Sequence, residues 1–345
     1  MLVLARVRPS HSSSSASCIF ASTSLGSEYL SVCHSGTRTA STGAGFQFRS
    51  DFRYSRVLHE SSQEDVWSAA NEPLQRALAE GEAACVLAYG QTGSGKTHTV
   101  FGGACGTFRE RGVAQRALSL VFATADAQRA RMGGEEPSTP AFIAFAEVYA
   151  EGVFDLIGTV AARAAGAVWG SNGFLDGESA ASAALTALAS RGVRACRADT
   201  ESVALALVHA GTLARATGAT ALNRASSRSH AVLVVTLGRT AIFLVDLAGS
   251  ERRGYGRSSQ DQTHQREGAS INLSLHCLEL VIMSLAERQA AQRERAKAKR
   301  NGMPLPVTPL TLPSALWERY NIDQSPMSSP PRASPPRGGG GSWGV

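Results

Sequence analysis

Gly90-Gln91-Thr92-Gly93-Ser94-Gly95-Lys96-Thr97 is the stretch that decides how the rest of this chain is read. It satisfies G-x-x-x-x-G-K-[ST] at every fixed position. The glycines allow backbone N–H groups to turn inward around phosphates, and the positive end of a following helix adds to them. Lys96 brings a point charge for β- and γ-phosphates, and Thr97 brings a hydroxyl for Mg²⁺. The bland alternative is a Gly-rich turn. Context decides against it: the apolar run Ala83–Tyr89 reads as a buried parallel strand ahead of the loop, and a helical stretch follows. Lys96 is also the only lysine before Lys297.

Two further segments complement the loop. Ile242-Phe243-Leu244-Val245-Asp246 is an apolar run ending in an acid, followed by Leu247-Ala248-Gly249. A carboxylate at the carboxyl end of a strand reaches a metal through its water shell, and Gly249 lets a backbone N–H approach the γ-phosphate. Alone, such an Asp is most often a turn former; beside a phosphate loop the functional reading wins. Asn223-Arg224-Ala225-Ser226-Ser227-Arg228-Ser229-His230 is rich in hydroxyls around an embedded Arg. Read alone it is an ordinary turn or a phosphorylation site; read with the others it is a candidate γ-phosphate sensor.

Jointly these segments resemble the kinesin motor family. Its phosphate loop with the following His-Thr matches Ala88–Thr99, its first switch N-x-x-S-S-R-S-H matches Asn223–His230, and its second switch D-L-A-G-S-E matches Asp246–Glu251. Supporting matches are Arg6-Val7-Arg8-Pro9, Phe46-Gln47-Phe48, Phe145–Tyr149 with Asp155-Leu156, and Ile271-Asn272-Leu273-Ser274-Leu275. The resemblance implies an α/β phosphate-loop NTPase with a central mixed, mainly parallel sheet flanked by helices. It implies ATP and Mg²⁺ as ligands, hydrolysis stimulated by microtubules, and a cytoplasmic, cytoskeletal setting. Arg6, Arg8 and Pro9 would line the adenine with His98 beside them. Gly90, Gln91, Thr92, Gly93, Ser94, Gly95, Lys96 and Thr97 would hold the phosphates. Thr97, Ser227 and, through water, Asp246 would serve the metal. Ser227 would help position the attacking water, Gly249 would contact the γ-phosphate, and an Arg228–Glu251 salt bridge would latch the two switches. The helix at 270–287 would face the microtubule.

The family pattern stops after Glu287. The loop and helix carrying P-Y-R-x-S-K-L-T, a strand ending near S-P, a last helix and the neck have no counterpart here. In the family fold that strand lies between the first strand and the one feeding the phosphate loop, so the sheet is expected to be incomplete. Residues 304–312 are too proline-rich to replace it. The expected organisation is a partial motor domain over 1–287, a basic helical extension over 288–300, and a Pro/Ser/Gly-rich disordered tail over 301–345. Leu273 stands where the family usually has lysine. No heptad pattern follows, so no coiled coil is expected, and cargo is not legible. Two alternatives remain beside the motor: a non-motile nucleotide-dependent microtubule-binding module, and a fragment of a longer motor.

Composition narrows the rest. A net charge of +6 with 18% charged residues mildly favours an acidic partner and does not resemble a nucleic-acid-binding protein. No apolar stretch approaches the roughly 20 residues of a membrane-spanning helix. Six scattered cysteines without a C-x-x-C pair read as thiols in a reducing compartment. The first 27 residues lack acids, as targeting peptides do, but Val3–Pro9 reads better as a strand and turn. Residues 10–45 read as a long loop, 62–79 as a helix restarted at Pro73, 112–131 and 201–216 as helices, and 142–149 as a strand. Residues 231–237 and 240–247 read as a hairpin around Gly238-Arg239.

Overall fold

The computed structural model describes residues 2–7, 19–24, 27–35, 47–103, 107–133, 139–149, 152–158, 168–169, 179–221, 227–251 and 261–300. The strands β1 (Leu4–Val7), β2 (Ile19–Ser24), β3 (Ser27–Ser35), β4 (Gln47–Tyr54) and β5 (Arg56–His59) come first. β1 pairs with β5 in parallel, whereas β2, β3 and β4 form an antiparallel sheet of their own. The expected loop over 10–45 therefore contains two strands. Its serines dilute the pattern, yet Ile19, Phe20, Tyr29 and Val32 are strong strand formers, and antiparallel pairing satisfies the backbone.

Helix α1 (Gln63–Glu80) begins in a capping box. The Ser62 hydroxyl accepts from the Asp65 N–H at 3.2 Å, and the Asp65 carboxylate accepts from the Ser62 N–H at 2.8 Å. Gly81, at φ 70°, ends it. The helix runs through Pro73 without restarting, because Val66, Ala70, Leu74, Ala77 and Leu78 form one buried stripe holding both halves. After β6 (Ala83–Ala88) come α2 (Lys96–Phe101), α3 (Val113–Arg131), β7 (Ala141–Tyr149), β8 (Gly152–Asp155), β9 (Val168–Trp169), α4 (Ala180–Ala189) and β10 (Cys196–Ala198). The order closes with α5 (Glu201–Ala221), β11 (His230–Leu237), β12 (Thr240–Asp246) and α6 (Asp261–Arg300). The chain divides into two compact units, Met1–Cys277 and Leu278–Val345; of the second, only the helical residues to Arg300 are described.

The main sheet has the order β6-β12-β11-β7-β10-β9, with β8 also on β7. It is mixed, as expected, but not mainly parallel. β6 and β12 run parallel; every other described ladder in it is antiparallel. The two-residue turn at Gly238-Arg239 allows only an antiparallel pair, whereas the long path from β6 to β12 supplies a crossover. Gly238 has φ 54° and Arg239 does not share that region, so positive φ falls at the first turn position as a II′ turn requires. Among the described residues β6 closes one end of the sheet, and β1 lies in a different sheet. Along β6 the side chains of Ala83, Cys85 and Leu87 are exposed.

One face of this sheet packs on α1, α2, α3 and α5 through Leu74, Val100, Leu118, Val121, Leu207, Leu233, Ile242 and Leu244. The other packs Ala144, Ala146, Val234 and Ala241 against Ala184 and Leu185 of α4. Phe145 is fully buried, 5.2 Å from the Phe101 ring, and a side chain at Gly211 of α5 would collide with it. Phe145→Ala is expected to cost about 3–5 kcal/mol in urea unfolding, through lost burial and the cavity left behind. A change near zero would mean that α5 does not pack here.

Candidate functional site

The loop after β6 is shaped by glycines at Gly90 (φ 152°), Gly93 (φ 78°) and Gly95 (φ 96°), values that side chains resist. A Cβ at Gly90 would also press on Ser94. The α2 helix starts at the next residue and is only six residues long. Lys96 therefore carries more of the positive charge here than the helix dipole does. Its Nζ donates to the carbonyls of Gly90 at 2.9 Å and Gln91 at 3.0 Å. Burial lowers the Lys96 pKa, while Asp246 and Glu251 pull it the other way.

Across the parallel β6–β12 ladder, Asp246 stands beside Ala88, the last residue before the loop approach. The Thr97 hydroxyl donates to Asp246 Oδ2 at 2.7 Å. The other oxygen, Oδ1, is buried and accepts no hydrogen bond from the described residues. A buried carboxylate oxygen without a donor is costly unless something supplies one. A hydroxyl paired with such an acid fits the Mg²⁺ shell, in which water hydrogens would reach Oδ1.

The two switch-like segments meet at this point. Gly249 N–H donates to the Ser227 carbonyl at 2.9 Å, and Ser250 N–H to the Gly90 carbonyl at 3.1 Å. Ala248 N–H donates to His230 Nδ1 at 3.2 Å, leaving Nε2 to meet the Ser274 hydroxyl of α6 at 2.9 Å. Glu251 was expected on Arg228, but its carboxylate binds Thr92 instead, accepting from the backbone N–H at 2.8 Å and from the hydroxyl. Burial works to raise the Glu251 pKa, and the Thr92 hydrogen bonds with nearby Lys96 outweigh it, so the net shift is downward. Glu251 sits close enough that a Cβ at Gly249 would strike it.

Arg6 reaches the same end of the sheet from β1, but as a brace. Its guanidinium donates to Gln63 Oε1 at 2.9 Å, Thr99 Oγ1 at 2.7 Å and the Ser61 carbonyl at 3.3 Å. Gln63 in turn donates to the His98 carbonyl at 2.6 Å, and His98 Nε2 lies 2.8 Å from Glu110. Arg8, Pro9 and Asn223–Ser226 lie outside the described residues.

Burial lowers the His230 pKa below its ordinary 6.5, and Arg215 adds to the effect. The folded state thus binds fewer protons than the unfolded one, and stability falls as pH drops through 6.5 towards the folded value. We expect His230→Gln to flatten that slope in unfolding measured against pH. An unchanged slope would contradict the assignment.

Sequence reading missed two charged residues beneath Asp246. Arg215 of α5 and Glu147 of β7 are 5% and 5% exposed. Arg215 Nη1 donates to Asp246 Oδ2 at 2.6 Å, its Nη2 to the Ser229 carbonyl at 3.0 Å, and its Nε lies 3.8 Å from Glu147 Oε1. The signal was present: Arg215 continues the buried stripe Ala204, Leu207, Val208, Gly211, and Glu147 continues Ala141, Ile143, Phe145. A charge in register with a core stripe needs a buried partner.

A family model described as the kinesin motor domain matches residues 6–300. Among curated proteins, kinesin-like protein KIN-14M of Oryza sativa subsp. japonica is 33% identical over 250 residues, covering 69% of this chain and 20% of that protein. Rat kinesin-like protein KIFC1 is 35% identical over 258 residues, covering 70% of this chain and 35% of that one. The chain thus spans about a fifth to a third of the length of these relatives. Among solved structures, the motor domain of the Saccharomyces cerevisiae kinesin-related protein Kar3 superposes with a TM-score of 0.57 at 24% identity, covering 82% of this chain and 81% of that one. The Kar3-like motor domain from Ashbya gossypii gives 0.55 at 22%, with coverages of 82% and 80%.

Proposed function

The chain belongs to the kinesin motor domain family, and from that membership and the site geometry we propose that it is a Mg²⁺-dependent ATPase that couples nucleotide state to microtubule binding and movement. The observation that carries the reading is the Thr97–Asp246 pair beside the glycine loop, with a buried carboxylate oxygen left to meet a hydrated cation. In this reading Gly90–Thr97 wraps the phosphates, and Lys96 exchanges its loop carbonyls for phosphate oxygens. Mg²⁺, when bound, would neutralise charge on the phosphates. Ser227 positions the attacking water, and Gly249 gives its N–H to the γ-phosphate once it leaves the Ser227 carbonyl. Glu251 moves from Thr92 to Arg228 to close the site. Phosphoryl transfer needs mainly positioning and charge stabilisation, which these groups supply.

The basic composition and the long α6 fit the acidic microtubule surface, which sets the proposed location on the cytoskeleton. Among the described residues no helix is long and apolar enough to cross a membrane. One observation favours a second reading, a microtubule-binding module without movement: β6, which feeds the phosphate loop, ends the described sheet. ATPase rates with and without microtubules test both. Stimulation by microtubules supports the motor; nucleotide-dependent co-sedimentation without stimulation supports the module.

A further inference from the structure

Four side chains beside the phosphate loop form one directional chain of hydrogen bonds, and the sense of each bond follows from the first. Arg6 can only donate, so the Gln63 amide turns its Oε1 towards it, at 2.9 Å. The Gln63 Nε2 is thereby aimed at His98, where it lies 2.6 Å from the carbonyl and 3.3 Å from Nδ1. An NH2 group cannot accept, so Nδ1 is the accepting nitrogen of the ring and the ring hydrogen sits on Nε2. Nε2 lies 2.8 Å from Glu110 Oε2, and the carboxylate is the acceptor that this tautomer needs. Glu110 is itself held by its own loop: Gly103 N–H donates to the Glu110 carbonyl at 3.1 Å, and Glu110 N–H to the Thr107 carbonyl at 3.1 Å. A Cβ at Gly103 would stand 3.3 Å from Glu110 Oε2 and 3.6 Å from His98 Cδ2, so glycine leaves the pair room to meet.

Both nitrogens of the imidazole are thus engaged, yet the side chain is 42% exposed. What it exposes is ring carbon and ring face, next to Thr97 of the phosphate loop. A ring pinned at both nitrogens cannot turn about its Cβ–Cγ bond without breaking a hydrogen bond, so the face is set before any ligand arrives. The chemistry that fits such a face beside phosphate donors is a planar nucleobase. We propose that Glu110 is a positioning residue for the base of the bound nucleotide: by accepting from Nε2–H it holds the His98 ring as a fixed face on which the base stacks. This rests on the functional reading above and on the base lying against His98, as the family resemblance implies. Glu110 also offsets the burial that lowers the Arg6 pKa, so its charge and its hydrogen bond have to be separated. Glutamine does this, because its amide oxygen still accepts from Nε2–H without the charge.

The test is displacement of a fluorescent ADP analogue, with Mg²⁺ present, by ATP and by inorganic tripolyphosphate, which carries the phosphates without a base. Wild type, His98→Ala, Glu110→Ala and Glu110→Gln are compared, each checked for folding by circular dichroism. His98→Ala is expected to weaken ATP binding about 5–50-fold, the scale of one base stacked on one aromatic ring. Glu110→Ala is expected to weaken it about 2–5-fold, as one half-exposed hydrogen bond is lost, and Glu110→Gln to bind ATP as wild type does. Tripolyphosphate should bind all four equally. The inference is overturned if Glu110→Ala keeps wild-type ATP affinity or weakens tripolyphosphate as much as ATP. It is also overturned if Glu110→Gln is as weak as Glu110→Ala, which would make Glu110 a counter-charge for Arg6. Nitrogen-15 NMR of the His98 ring in the wild-type chain depends on no variant folding: hydrogen on Nε2 supports the chain of bonds, and hydrogen on Nδ1 overturns it. A wild type that binds neither ATP nor tripolyphosphate overturns the functional reading itself; one that binds both equally overturns only the base-positioning role.

Discussion

Lys96→Ala is expected to bind ATP and ADP about 10²–10⁴-fold more weakly than wild type, because two charge-assisted hydrogen bonds of about 1.5–3 kcal/mol each are lost. Within Gly90–Thr97 Lys96 is the only cationic side chain, the next lysine in the chain is Lys297, and Arg215 is already held on Asp246. The fold should survive, since the Lys96 amine donates only to carbonyls of its own loop. Equilibrium binding of a labelled nucleotide checks the affinity. The thermal midpoint without nucleotide checks the fold, and the rise in midpoint on adding nucleotide should disappear in the variant. Wild-type affinity in Lys96→Ala would remove the phosphate loop from the argument.

The candidate nucleotide site was legible where chemistry dictates residue type and spacing within a few residues. Gly90–Thr97 had to be glycines, a lysine and a hydroxyl, and their backbone angles agree. Asp246 was legible only beside the phosphate loop, since alone an acid ending an apolar run is most often a turn former. For Arg215 and Glu147 a charge in register with a core stripe was legible but its partner was not, because Arg215 lies thirty-one positions from Asp246 and only the fold joins them. The strand directions failed for a related reason. Alternating strands and helices suggest crossovers, yet β7 pairs with both β11 and β8 in antiparallel fashion, because pairing depends on which segments meet. The loop reading of residues 10–45 gave serine more weight than it carries when neighbouring strands satisfy the backbone.

Glu251→Ala should leave nucleotide binding close to wild type and slow hydrolysis by about 10²–10³-fold, the scale seen when one preorganised stabilising group is removed. The carboxylate now lies on Thr92, accepting from its N–H and hydroxyl. Its removal frees a loop N–H rather than destroying one, so binding has no reason to weaken. Hydrolysis does, because the pair with Arg228 can no longer form and the switches cannot be latched over the γ-phosphate. Glu251→Gln separates the two roles of this side chain. The amide oxygen still accepts from Thr92, so the present arrangement is kept, but the ion pair to Arg228 is lost. If closure depends on the ion pair, Gln is as defective as Ala in a single-turnover assay. If Glu251 acts only by bracing the loop through Thr92, Gln hydrolyses at the wild-type rate and the latch is refuted. Retained hydrolysis in both variants would remove Glu251 from the reaction altogether.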